Sequence, residues 1–520
     1  MNLAEIKEPE IQKETENEDE PLNQLTVKTE NNNNDNKKNK MKNKNCKKNC
    51  FLFSLYSLIL IMLLFIIIET LINISENEEG DTNPMHISNL KKNTTKKDAL
   101  NENKENIIIK ENEKVGVAFI YHILHSNGVA RVIALTADHL IRTGRYNVYL
   151  ITGKAYSKDY KFDSRIKRFI GHDNRTIIQN LRETLNIKYF ILNNQLTGSL
   201  INFIKSLNSK VIGIFHGVYL SAIFHNNTKG YKSWHKFGLY DSFITVAADD
   251  LYVYKKLGYK NAIFIPNLYT FEPSQSPESN LTYNNIVMLG RAHDKIKGTI
   301  YALKAMSYIV KEVPDAKLII ATSDSKYKNL ENVAKEYKIS NNVIFKIFPN
   351  ISEVFLNSSV LMFTSLCEAF PMAMNEGKAY GLPVVAFDIP FSPPFQSGVI
   401  TVPFLNAEAL ANETIKLLKD YNYRRRKGKE AKLSLNRFSN ENTLHLWEKL
   451  FYSLDKGDSE YKKFQKEIYD KYYNEKKARE HVLTHFNNAL NYNKYFRCHT
   501  FENMLNMKYI KNIKNCTNVT

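Results

Sequence analysis

The chain has 520 residues, a formal charge of +18 and 43% hydrophobic residues, room for two or three folded domains. Five cysteines (Cys46, Cys50, Cys367, Cys498, Cys516) with no C-x-x-C pair exclude a disulfide framework and a paired-cysteine zinc module. The basic excess sits outside the expected core, with seven lysines in 37–48 and 13 Lys+Arg against seven Asp+Glu in 456–520, so no nucleic-acid partner is expected.

Residues 1–50 are polar and read as a disordered cytosolic tail. Phe51 to Ile68 is then an uncharged run of 18 residues, about 27 Å as a helix, which predicts a transmembrane anchor over 51–72. It is too far from the N-terminus for a cleaved signal peptide. Lysines before it and acids after it orient it N-terminus inside. A polar stem, 73–113, follows. The expected topology is a single-pass type II membrane protein with its folded part in the lumen of the endoplasmic reticulum or Golgi. Ten N-x-S/T sequons after the anchor fit that side.

From Lys114 the pattern alternates between short apolar strands and helical spacings. KVGVAFIY (114–121) reads as a strand. After a loop, ARVIALTADHLIRTG reads as a helix stopped at Gly144. Strands follow at 147–153, 187–192, 210–215, 241–246 and 261–266. PSQSPESN (273–280) reads as a linker, and the alternation restarts with strands at 284–290, 316–322, 342–348, 359–365 and 382–388. Strand-helix alternation predicts parallel sheets with helices on both faces. The expected domains are two such α/β lobes, 114–272 and 273–454, and a basic, tyrosine-rich helical extension, 455–520, that carries no functional reading.

The second lobe holds the chemistry. Gly290-Arg291 and Lys297-Gly298 lie between a strand end and a helix start. An arginine and a lysine there, beside free helix N–H groups, suit a diphosphate. Glu368 and Glu376 lie eight apart, one after a strand and one in the helix it feeds. That places both at the carboxyl edge of a sheet, where open α/β folds bind ligands.

On these residues the chain resembles the retaining glycosyltransferases of family 4, also called group 1, with the GT-B fold. Glu368 and Glu376, followed by Gly381, Pro383 and two valines, match the signature E-x7-E…A-x-x-x-G-x-P-V-V. Gly290, Arg291, Lys297 and Gly298 match G-R-x5-K-G. Asn127-Gly128-Val129-Ala130-Arg131 stands where the family has a Gly-rich loop, usually G-G-x-E-R. Phe215-His216-Gly217, Pro266-Asn267 and Arg437-Phe438-Ser439…Trp447 match further elements in order. The resemblance covers roughly 114–450.

It implies two Rossmann-like lobes facing a cleft, and transfer of a hexose-type sugar from a UDP- or GDP-linked donor to a glycan, lipid or protein acceptor. Arg291 and Lys297 would stabilise the leaving diphosphate, and Glu376 would hold the ribose. Glu368 and the backbone of Phe370, Pro371 and Met372 would hold the sugar, with His216 beside it. Gly128 and Gly290 would let backbone approach the donor. No D-x-D triplet follows the anchor, so no metal or other cofactor is expected. Two departures stand out: Asn127 and Ala130 replace a glycine and an acid, and Asp388–Gly398 carries three prolines in place of the usual glycine and acid. They motivate an alternative: a non-catalytic, membrane-tethered GT-B partner or sugar-binding subunit.

Overall fold

The computed structural model describes residues 114–492, except 126, 194–197, 225–233, 324 and 390–396. The expected tail 1–50, anchor 51–72 and stem 73–113 lie outside the described residues, as does most of the proline-bearing stretch. Among the described residues, no helix is long and apolar enough to cross a membrane.

The first sheet comprises β1 (Val115–Tyr121), β2 (Tyr146–Thr152), β3 (Lys167–Ile170), β4 (Ile187–Asn193), β5 (Lys210–Phe215), β6 (Ser242–Thr245) and β7 (Ala262–Phe264). Its order is β3-β2-β1-β4-β5-β6-β7, and every pairing is parallel. The second comprises β8 (Asn285–Leu289), β9 (Lys317–Ala321), β10 (Val343–Lys346), β11 (Val360–Phe363), β12 (Val384–Phe387) and β13 (Val399–Val402). Its order is β10-β9-β8-β11-β12-β13, again all parallel. The central strands are apolar on both faces, with Val117, Phe119, Phe190, Ile212, Val287, Leu361 and Val385 at 0–1% exposure, because helices cover both sides.

Each sheet changes winding direction once, between β1 and β4 in the first and between β8 and β11 in the second. Ligands of such sheets bind at the carboxyl ends beside that switch. β8 leads into Gly290-Arg291 and β11 into the Glu368 segment, so the second switch carries the motif residues.

The C-terminal part is helical and packs back on the first sheet. From the helix Asn440–Lys456, Trp447 lies against Phe119 and Phe451 stacks on Tyr189 at 4.4 Å between centroids. Asp455 accepts hydrogen bonds from Tyr189 and Lys188, both at 2.6 Å. The helix Asp458–Tyr472 covers the β7 edge, where Gln465 and Tyr469 donate to the Ala262 carbonyl at 3.0 and 2.7 Å. That caps an edge strand that would otherwise present free backbone groups. Helix Glu475–Tyr492 follows and packs on helix Asp250–Lys256.

Candidate functional site

The second switch is built by two loops stitched together. After β8 the chain turns at Gly290 (φ +139°), and Asp294 caps the short turn Lys295–Lys297 by accepting from the Ile296 amide at 3.0 Å. Gly298 (φ +65°) then passes so close to the β11 loop that a Cβ there would lie 2.2 Å from the Thr364 carbonyl oxygen. Thr364 Oγ1 donates to the Lys297 carbonyl and the Leu366 amide to the Ile296 carbonyl, both at 2.8 Å. The stitch fixes the two backbones and brings Lys297 Nζ to 2.6 Å from Glu368 Oε1. The lysine stem lies over Gly290, where an added Cβ would meet it at 3.3 Å. Arg291, half exposed, donates to Asp294 at 2.7 Å. Arg291 and Lys297 therefore each hold a separate carboxylate.

Glu376 is buried in the helix Met372–Ala379. Its Oε1 accepts from Thr270 Oγ1 at 2.9 Å and from the Arg131 guanidinium. Arg131 belongs to the first lobe, so this ion pair bridges the two lobes. Burial works against the Arg131 cation, but Glu376 and Tyr160 outweigh it and raise its pKa above the ordinary value. Phe370, Pro371 and Met372, at the start of that helix, differ as donors. Pro371 has no N–H, and the Met372 amide donates to the Phe370 carbonyl at 2.8 Å. The Phe370 ring faces Tyr269 at 6.1 Å.

On the first lobe, Gly128 opens the helix Gly128–Arg142, and nothing lies within 4 Å of a Cβ placed there. Asn127 does not use the unusual backbone that its replacement of glycine suggests. It is extended (φ −141°) and caps the helix, accepting from the Ala130 amide at 2.8 Å. His216 follows β5, at the carboxyl edge of the other sheet from Lys297, Glu368 and Glu376. Its Nε2 lies 2.9 Å from Asn193 Oδ1. The Asn193 amide nitrogen donates to the Ile120 and Ile191 carbonyls, which turns Oδ1 toward the ring, so His216 Nε2 carries the hydrogen. Burial of the ring pushes its pKa down to about 3, leaving a neutral imidazole.

Sequence reasoning missed four partners: Arg131, Thr270, Asn193 and Asp294. Arg131 stands at the last position of the loop motif, a signal present in the sequence. The others carry none, because their roles come from contacts between distant segments.

Residues 271–434 match the family described as Glycosyl transferases group 1. The chain carries a group 1 glycosyltransferase domain. It is 24% identical over 272 residues to poly(glycerol-phosphate) alpha-glucosyltransferase of Bacillus subtilis, covering 48% of this chain and 40% of that protein. It is 33% identical over 135 residues to an uncharacterized glycosyltransferase of Haemophilus influenzae, covering 26% of this chain and 38% of that protein. The chain thus spans about two fifths of the length of the relatives it matches. Sucrose-phosphate synthase from Thermosynechococcus elongatus superposes with a TM-score of 0.57 at 16% identity, over 66% of this chain and all of that one. That likeness establishes a GT-B-like fold of two parallel-sheet lobes with a helical C-terminal part around the group 1 domain.

The comparisons correct one expectation. Both relatives are bacterial, from cells without an endoplasmic reticulum or Golgi, and no described helix could cross a membrane. The placement as a type II lumenal glycoprotein, which rested on the run 51–68 outside the described residues, is withdrawn.

Proposed function

We propose that the chain is a retaining glycosyltransferase that moves a hexose-type sugar from a nucleotide diphosphate donor to a glycan, lipid or protein acceptor. The observation that carries this reading is the Lys297–Glu368 pair at the second switch point, 2.6 Å long, beside the buried Glu376. A cation there can stabilise negative charge as it develops on the departing diphosphate, in a site whose geometry is set before reaction. Arg291, on the same loop and half exposed, supplies the second charge.

In this mechanism, diphosphate oxygens replace Glu368 as the partner of Lys297. Glu368 is then free to accept hydrogen bonds from the sugar hydroxyls. Glu376 accepts the ribose hydroxyls. Both bonds described at Glu376 fall on Oε1, which leaves Oε2 for the nucleotide. The neutral His216 donates no positive charge; it contributes its ring beside the sugar. Gly128 leaves room for the donor at the carboxyl edge of the first sheet, and Gly290 lets the Lys297 stem pass over the second. The two cations take the place of a metal ion on the diphosphate. The relative's name specifies an alpha-glucosyl product, the linkage that retention from an alpha-linked nucleotide sugar gives, and glucosyl donors come first among those to try.

The test is nucleotide release by the purified chain from a panel of UDP- and GDP-sugars without added divalent ion. Wild type runs beside Glu376→Ala and Lys297→Ala. Release from one donor, lost in both variants, supports transfer and names the donor. A folded protein that neither binds nor turns over any donor is instead the non-catalytic GT-B partner. Ala130 and the occupation of Glu376 by Arg131 favour that second reading.

A further inference from the structure

The third cluster of titratable side chains is unused by the mechanism above. His481 and His485 lie four apart on helix Glu475–Tyr492, so they share one face. Their rings meet edge-on with centroids 4.2 Å apart. Asp388 arrives from the other lobe, just past the carboxyl end of β12. One ligand atom from each of these three residues lies within 4.8 Å of the other two. His485 Nε2 is 3.8 Å from Asp388 Oδ1, and two ligands on a tetrahedral zinc are about 3.3 Å apart.

A second observation points to a ligand at this place. Nε2 of His481 and Nε2 of His485 are both buried and have no hydrogen-bond partner among the described residues. His485 is only 2% exposed. An unpaired buried polar atom costs free energy, and two at one spot are unfavourable unless something binds them together. The tautomer of His481 is also set. Its Nδ1 lies 2.5 Å from Asp249 Oδ2, a carboxylate oxygen that accepts, so the proton sits on Nδ1 and Nε2 carries the lone pair. A carboxylate behind a histidine is the arrangement that orients metal-bound imidazoles.

We propose that His481, His485 and Asp388 bind one divalent transition-metal ion of the zinc type, with Asp249 as the positioning residue behind His481. Two imidazoles and one carboxylate suit a borderline cation and are too poor in oxygen for calcium or magnesium. The His-bearing helix belongs to the first lobe: Tyr219 donates to the Val482 carbonyl, and His481 is held by Asp249. Asp388 belongs to the second. The ion therefore ties one lobe to the other, at the carboxyl edge of β12. The proposal does not depend on the transfer reaction.

The full chain is stripped with chelator, dialysed against zinc or cobalt(II), and read by metal content, by the visible absorption of four- or five-coordinate cobalt and by thermal midpoint. The expected result is one equivalent per chain, an intense cobalt band and a midpoint several degrees higher with zinc than with chelator. His481→Gln and Asp388→Asn lie at half-buried positions and carry the test if His485→Gln fails to fold. Each should weaken binding tenfold or more, and Asp249→Asn should weaken it by about 10–100-fold. No bound metal, or one equivalent that His481→Gln and Asp388→Asn leave unmoved, overturns the proposal.

Discussion

The pair between Arg131 and Glu376 joins the two lobes through side chains, and its strength can be worked from its surroundings. The Glu376 side chain is 6% exposed and that of Arg131 is 36%. A fully exposed pair is worth about 0–1 kcal/mol, and breaking a fully buried one costs about 3–5 kcal/mol. Here one partner is dry and the other is partly wet. Thr270 still bonds Glu376 when Arg131 is gone. A coupling of about 1–2 kcal/mol follows. The assay is a double-mutant cycle with Arg131→Ala, Glu376→Gln and the double variant, each unfolded with urea. Arg131→Ala alone should lower the thermal midpoint by about 2–4 °C. On the proposed mechanism it should also weaken UDP binding about five- to tenfold, because it releases the carboxylate assigned to the ribose. Coupling below about 0.5 kcal/mol would mean that the lobes are not joined here in solution. Tighter UDP binding in Arg131→Ala would refute the reasoning another way, since Arg131 would then compete with the nucleotide rather than prepare its site.

Gly298→Ala should cost about 2–4 kcal/mol in urea unfolding, since it strains a positive φ and drives a Cβ into the Thr364 carbonyl. UDP binding should fall with it as Lys297 moves. Burial holds His216 at about 3 against 6.5 in the unfolded chain. Between those values the unfolded state takes up the proton and the folded state does not, so stability is lost as pH falls from about 6.5 toward 3. From pH 6.5 to 4.5, wild type should lose about 1–3 kcal/mol more than His216→Asn, by urea midpoints. A difference constant across that range would sink the claim. Lys378 is fully buried, which lowers its pKa from 10.5 to about 7. The unfolded chain holds that proton up to 10.5, so stability should rise between pH 7 and 10.5, by at most about 1.4 kcal/mol per pH unit. The rise should be absent in Lys378→Met.

The central strands were legible because burial on both faces makes them continuous apolar runs, as in FIY of β1 or VVAF of β12. The edge strands β3 and β13 were not. β3 is KRFI, which is charged and half exposed, and β13 is short and partly exposed, so neither shows a core pattern. The placement of the candidate site residues was legible where it is local: Glu368 and Glu376 occupy one strand-helix unit, and Arg291 and Lys297 one loop. The pairings between units were not. Lys297 meets Glu368 71 residues away and Arg131 meets Glu376 245 residues away. Those contacts depend on which strands neighbour one another, and one sequence does not state that. The C-terminal extension shows the same limit. Its tyrosines read as an unexplained bias, yet Tyr461 and Tyr469 bond to Ser242, Asn261 and Ala262 along the exposed edge of the first sheet.

The charges at the cleft are already matched before any donor arrives: Lys297 to Glu368, Arg291 to Asp294 and Arg131 to Glu376. On the proposed mechanism, donor binding is therefore an exchange and not a simple capture of an anion by free cations. Each diphosphate contact replaces an existing ion pair, so its net gain is the difference between two similar interactions. The exchange has a direction because Glu368, once displaced, has sugar hydroxyls to accept from. UDP lacks those hydroxyls and leaves Glu368 unpaired beside the phosphates. The sugar-bearing donor should consequently bind more tightly than UDP in wild type, and Glu368→Gln should remove most of that advantage while making UDP itself bind better. Equal affinities for UDP and UDP-sugar in wild type, measured by calorimetry, would show that Glu368 remains with Lys297 throughout and that the sugar is held elsewhere.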